Sequence, residues 1–392
     1  MGVRFLASVV ILALLVALDQ PVAAQSQSSV DHLKLVPRTK EEREQNDRAL
    51  RRIILNVQVT DTSGAVVRDL RTSDFAIFED GVEQKMVQWR MAGGSATSDH
   101  LLLVLDAWNS SAGALETAKK DIERYLREQP ATLSHPVSLV LVSAFGAQMS
   151  QSSNSKEVLL ADLRRMAKDA RPGACGRGAA NDPAVGVDMS GIVTMTAMQP
   201  PPRSDAPADC LAQHLTLSLS VLGSIAKEQK EAQGRALVVW IGQGWPSLAE
   251  PEFVRTSKEI RQGDYAYLAE LMIALREAQV TLDVVSWTDP GVNEAVHNRE
   301  AQGKADGANS DPANDETYSL PSLARRTGGR IFENSKHMTA DIDRCASDVD
   351  AYYVLSFDSA PAAQPNEYRS LAVKVKRSDL VARTLPGYFP QF

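Results

Sequence analysis

The 392-residue chain is 44% hydrophobic and 23% charged, an ordinary globular composition, and its length allows one large or two modest domains. Its 49 acidic and 42 basic residues give a formal charge of −7, and the basic residues occur in isolated pairs such as Arg51-Arg52 and Arg325-Arg326. That excludes a nucleic-acid partner, whose phosphates are held by clustered Lys and Arg.

Arg4 precedes a mainly apolar run from Phe5 to Leu18, and Val22-Ala23-Ala24 supplies small residues before a cleavage point at Gln25. The run is shorter than the roughly 20 residues that span a bilayer, so residues 1–24 are predicted to be a cleaved signal peptide. The protein is then expected in the periplasm or outside the cell. No Cys adjoins the cleavage point to take a lipid, and no later stretch reaches transmembrane length. Residues 25–50 are mostly polar, with the mixed-sign run Lys40-Glu41-Glu42-Arg43-Glu44, and read as a flexible leader.

Alternation of Ile, Leu and Val with polar residues predicts a strand at 53–60, followed by a turn at Asp61–Gly64. Strands at 75–78 and 82–89 flank Glu79-Asp80-Gly81, where Asp-Gly favours a hairpin and Asp80 is a turn residue rather than a ligand. Residues 51–92 thus form a small β piece. Next, Leu101-Leu-Leu-Val-Leu105 ends in Asp106 and the polar loop Ala107-Trp108-Asn109-Ser110-Ser111, a buried strand that delivers a carboxylate to a sheet edge. A helix at 113–129 carries Leu115, Ala118, Ile122, Tyr125 and Leu126 on one stripe.

A strand at 137–144 and a helix at 156–170 follow. Residues 172–209, rich in Gly and Pro, are too long for a plain connection. Helices at 211–231 and 265–278 alternate with strands at 236–241 and 280–286, and 290–315 reads as a linker of Asn, Asp, Gly and Ala. Short helices at 320–327 and 337–346 precede strands at 351–358, 370–376 and 380–384. The repeating βα order predicts a mainly parallel, Rossmann-like sheet covered by helices on both faces over 93–349. The flanking strands of 51–92 and 350–392 are expected to meet in one β-sandwich into which that α/β domain is inserted.

Of three cysteines, Cys175 and Cys210 bracket the Gly/Pro-rich segment and are the favoured disulfide in an oxidising compartment. Closing a loop of roughly 34 residues would stabilise by about 3 kcal/mol. Cys345 is left as a small buried side chain.

Asp106-x-Trp108-x-Ser110 resembles an altered Asp-x-Ser-x-Ser loop of von Willebrand factor A domains. Asp74-Phe75-x-x-Phe78-Glu79-Asp80-Gly81, Gly234-Arg235-Ala236 through Trp240 to Gln243-Gly244-Trp245-Pro246, Ala324 to Gly328-Gly329, and Tyr352-Tyr353-Val-Leu-Ser-Phe are similar to the VWFA-related acidobacterial-type domain of secreted bacterial proteins. These matches cover roughly residues 50–390.

The resemblance implies a Mg²⁺ held by oxygens from three loops, in the near-octahedral array that this ion demands. Asp106 and Ser110 match the first loop. Trp108 does not, since indole has only a donor N–H. No Thr stands near Asp209 or Cys210, where the second loop's ligand belongs, and Thr194 and Thr196 align only loosely. Gly242-Gln243-Gly244 replaces the third loop's acidic residue. The expectation is a degenerate cation site and no resident cofactor, with Mg²⁺ at the Asp106 and Ser110 remnant as the alternative.

Trp108, Asn109, Gln243 and Trp245 are the candidate ligand-binding residues, the two indoles being either exposed anchors for a protein partner or packing over the sheet edge. The predicted function is a secreted or periplasmic protein-interaction module without enzymatic activity. A structural or assembly component of the cell envelope is the alternative. A secreted hydrolase ranks lower: there is no Gly-x-Ser-x-Gly or His-Glu-x-x-His, and His32, His100, His135, His214, His297 and His337 fall in unrelated contexts.

Overall fold

The computed structural model describes residues 51–94, 98–143, 146–173, 192–197, 207–232, 234–245, 258–287, 319–364 and 367–390, with the backbone alone at 192–197, 207–212 and 258–266. The signal peptide, the leader, the 290–315 linker and the Cys175–Cys210 pairing lie outside what is described.

In chain order the elements begin with β1 (Arg52–Asp61), β2 (Phe75–Glu79), β3 (Val82–Gln84), β4 (Met86–Ala92) and β5 (His100–Asp106). Then come α1 (Ala112–Glu128), β6 (Thr132–Ser143), β7 (Gly146–Ser150), β8 (Ser153–Ser155), α2 (Lys156–Asp169) and β9 (Ile192–Ala197). They continue as α3 (Pro207–Glu231), β10 (Ala236–Gly242), α4 (Lys258–Glu277), β11 (Val280–Ser286), α5 (Leu320–Arg326), β12 (Ile331–Phe332) and α6 (Met338–Ala346). The last are β13 (Tyr352–Asp358), β14 (Arg369–Val375), β15 (Leu380–Arg383) and β16 (Gly387–Tyr388).

The central sheet runs β12-β11-β10-β5-β6-β7-β9, with β8 on β6. It is parallel from β12 to β6 and antiparallel at the β7, β8 and β9 side. The continuous apolar run of β5 has a direct cause in this layering, because successive side chains point to opposite faces and both faces are covered. Leu101, Leu103 and Leu105 pack with Leu115, Ile122, Leu163 and Ile342 from α1, α2 and α6. Leu102 and Val104 pack with Leu222, Leu271 and Leu323 from α3, α4 and α5. Ser111 caps α1, its Oγ accepting the Ala114 N–H at 3.3 Å.

Three antiparallel strands at one side, β7, β8 and β9, fall where no strand was expected. The polar residues of β8 and the Gly-rich setting of β9 hide them, since edge strands pair through backbone and need no apolar alternation. The strand expected at 82–89 also divides at Lys85: β3 pairs with β2, while β4 pairs with β13 in another sheet. A corner of this kind is how one stretch of chain serves both layers of a sandwich.

The remaining strands make two four-stranded sheets, β15-β1-β13-β4 and β16-β14-β2-β3, each built from strands of both chain ends. Ile53, Leu55, Val57, Tyr353 and Phe357 of the first face Phe75, Ile77, Leu371 and Tyr388 of the second. Asp80 (φ 47) and Gly81 (φ 78) both take positive φ in the β2–β3 turn, the backbone that Asp-Gly tolerates. The sandwich is tied to the α/β layer at Asp348, just after α6. Its buried carboxylate accepts from Arg330 Nη2 at 2.7 Å and Nε at 3.0 Å, and pairs with Arg383 of β15; its backbone oxygen accepts from Gln58 of β1 and Arg235. Burial alone would raise this carboxyl, but Arg383 and Arg330 hold it below the ordinary range.

Candidate functional site

The site stands at the carboxyl ends of β5 and β10, where an open α/β sheet places its ligands. Pairing of Leu105 with Ile241 sets Gly242 beside Asp106. The approach is so close that a Cβ on Gly242 would lie 2.9 Å from the Asp106 Cβ and 3.4 Å from Ser110 Oγ.

Asp106 is fully buried, and N–H groups occupy both of its oxygens. Oδ1 accepts the Asn109 backbone N–H at 2.9 Å; Oδ2 accepts Asn109 Nδ2 and Trp240 Nε1, each at 2.8 Å. Burial pushes the carboxyl up to about 6, against the pull of these donors. Ser110 Oγ donates to the Asp106 carbonyl at 2.6 Å, and Gln243 Oε1 accepts the Ser111 N–H at 2.6 Å.

The second layer comes from α3. Asn109 Oδ1 lies 3.1 Å from His214 Nδ1, and Asn109 Nδ2 also reaches Ser218 Oγ at 2.9 Å. Ser218 in turn donates to the His214 carbonyl at 2.9 Å. Burial pushes His214 down to about 4, so the ring is neutral near pH 7 and its Nδ1 carries the proton given to Asn109. Trp108 stacks on this neutral ring with centroids 4.1 Å apart, and Trp245 stacks on Trp240 at 5.0 Å.

Thus Trp108 and Trp245 are packed side chains, 7% and 8% exposed, and the reading of them as exposed anchors is corrected. The reason is a flat partner under each ring, together with the backbone at Gly173, where a Cβ would lie 2.0 Å from the Trp108 carbonyl oxygen. Their Nε1 atoms have no hydrogen-bond partner among the described residues. The loop residues that reach partial exposure are Asn109, Ser111, Gln243 and Gly244.

The cation that the loop resemblance implies finds a poor donor set. A hard divalent ion needs about six oxygens converging on one point. Here the Asp106 and Gln243 oxygens face N–H donors, and the Ser110 hydroxyl turns to a carbonyl. Thr194 and Thr196 sit on β9, separated from β5 by β6 and β7, and do not approach Asp106. The residues present do not fit Mg²⁺.

The structure brings Asp106, Asn109, Ser110 and Gln243 together as the sequence suggested, and adds His214, Ser218 and Trp240. Each had a faint signal. His214 and Ser218 are polar at i and i+4 on a largely apolar helix, and a Trp in a buried strand needs an acceptor for its N–H.

Neither a family model nor a curated protein matches this sequence. Solved structures with a similar arrangement include the manganese-loaded TRAP protein of Plasmodium vivax, at 11% identity and TM-score 0.31, covering 76% of this chain and 96% of that one. The human COPII-coat protein Sec24c is 9% identical at TM-score 0.31, over 75% of this chain and 44% of its own. A mutant PilB minor pilin from Streptococcus sanguinis is 11% identical at TM-score 0.33, over 64% and 62%.

Proposed function

We propose that the chain is an extracytoplasmic protein-interaction module of the von Willebrand factor A type, non-catalytic and independent of a bound cation. The observation that carries this reading is the state of Asp106. Its charge is met by the Asn109 and Trp240 N–H groups, the role a metal would otherwise fill. Binding would then pass through the half-exposed polar groups above the buried indoles, namely Asn109, Ser111 and Gln243, with Trp108 and Trp245 fixing their positions from below. A rigid, pre-paired loop loses little entropy on binding, which favours recognition of a protein surface. The signal-peptide pattern supplies the compartment.

The test is capture of a partner from cell-envelope extract by immobilised mature protein, in Mg²⁺ and in EDTA. The expected result is the same partner under both conditions, lost in the Asn109→Ala, Gln243→Ala double variant. Capture that EDTA abolishes would sink cation independence. Capture indifferent to the double variant would sink the assignment of the surface.

A further inference from the structure

The opposite pole of the sheet holds a second feature. At the amino-terminal end of β11, a cavity of about 40 Å³ lies between the C-terminal turn of α4, the outward face of β1 and the last strand β16. At roughly 10–15 Å³ per water-sized group, it takes about three such groups, the size of a carboxylate. It adjoins a wider cleft lined by Arg51, Arg52 and Arg276.

Arg276 is the group that needs explaining. It lines both spaces, and its side chain is 12% exposed. Its buried Nε has no hydrogen-bond partner among the described residues. The nearest anion, Glu277 Oε1, is 3.9 Å from Nη2, while the other Glu277 oxygen accepts from Lys230 at 3.0 Å. The guanidinium otherwise meets the Tyr388 ring, 5.5 Å from Cζ to the centroid. Burial pushes its pKa down, as expected for a cation short of counter-charge. Nothing described supplies what a buried guanidinium wants, two acceptor oxygens in its plane.

The walls favour one kind of anion. Among the residues lining the two spaces are four arginines and one carboxylate, Glu277; Arg52 is paired with Asp358 at 2.9 Å, Arg51 Nε donates to the Ser359 carbonyl at 3.3 Å and Arg326 lies over the Tyr368 ring, so Arg276 is the charge that a ligand would meet. Asn56 adds a buried Oδ1 with no donor, an acceptor waiting for an N–H. The C-terminal turns of α4 and α5, rather than helix N-termini, open onto the space; their carbonyl ends oppose any anion, a doubly charged phosphate more than a carboxylate, and accept N–H donors. A singly charged group that carries its own N–H donor is what remains.

We infer that this cleft binds a carboxylate of a peptide, with Arg276 gripping the carboxylate and Asn56 accepting an adjacent peptide N–H. The carboxylate belongs either to an acidic side chain or to a free C-terminus. The site is independent of the Asp106 loops.

The test is calorimetric titration of the mature chain with three probes: acetyl-Ala-Glu-Ala-amide, acetyl-Ala-Ala-Ala with a free C-terminus, and the neutral acetyl-Ala-Gln-Ala-amide. At least one of the first two is expected to saturate, with the neutral peptide at least tenfold weaker, and the stronger of the two names the source. Arg276→Met should weaken that binding at least tenfold and melt no lower than the parent, because it removes an uncompensated buried charge. Arg276→Lys, which keeps the charge and loses the fork, should also bind less tightly. No saturable binding by either carboxylate peptide overturns the inference. So does equal binding of the neutral peptide, full binding in both Arg276 variants, or preference for inorganic phosphate.

Discussion

Asp106 is the residue on which the site turns, and its chemistry sets a sign that can be measured. The folded carboxyl is pushed up to about 6, above its ordinary value of 3.8, so the native state holds the proton more tightly than the unfolded chain. Stability from this group is complete below the unfolded value and is lost as pH rises through about 6, by up to about 3 kcal/mol. Asp283, also raised by burial and by Asp348, gives a slope of the same sign, so the informative comparison is between two proteins. Urea titrations from pH 4 to 7 should show the parent losing stability relative to Asp106→Asn; parallel curves would contradict the assigned shift. Asp106, Ser110, Asn109 and Gln243 were legible because a strand ending in a carboxylate and two polar loops announce themselves locally. The orientation of Trp108 was not. Its ring is fixed by His214, which also holds the neighbouring Asn109 from 105 positions away in the chain, and no local pattern encodes that contact.

Among the elements, most buried strands and amphipathic helices could be read to within a residue or two, although α4 starts at Lys258 instead of 265 and β6 at Thr132 instead of 137. β11 spans Val280–Ser286, the stretch its apolar run marks out. What escaped were strands defined by pairing alone: β7, β8 and β9, and the division of 82–92 between two sheets at Lys85. Hydrophobic periodicity reports which face is buried and is silent on which neighbour a strand chooses. Close packing between elements makes a sharper prediction. A Cβ at Gly329 would lie 1.8 Å from the Leu282 carbonyl oxygen, jamming the α5–β12 connection against β11, whereas one at Gly113 in α1 meets nothing within 4 Å. Chemical denaturation should show Gly329→Ala destabilised by about 1–3 kcal/mol or more. Gly113→Ala should be stabilised by up to about 1 kcal/mol. Equal effects at the two positions would mean that the α5–β12 connection is looser than described.

At the scale of the whole molecule, the buried carboxylate of Asp348 joins the layers. Asp348 follows α6, takes Arg330 on one side and Arg383 of β15 on the other, and its backbone oxygen takes Gln58 of β1. Replacing it with Ala leaves two guanidiniums short of their anion and should cost about 3–5 kcal/mol. Its depressed pKa has the opposite sign to that of Asp106, contributing stability above the ordinary carboxylate range that is lost as pH falls. The variant should therefore lose its disadvantage in acid, and a deficit independent of pH would contradict the network. The two poles of the central sheet carry different chemistry, a carboxylate already satisfied by N–H groups at one end and an arginine without its anion at the other. Calorimetric titration of the chain without residues 1–24 with Mg²⁺, Mn²⁺ and Ca²⁺, beside Asp106→Asn, decides whether the Asp106 carboxylate is closed to cations. A carboxylate already held by N–H groups gives no saturable heat with any ion in either protein. Saturable binding in the parent that vanishes in Asp106→Asn would show that the loops open to build a cation site, and would contradict that closure.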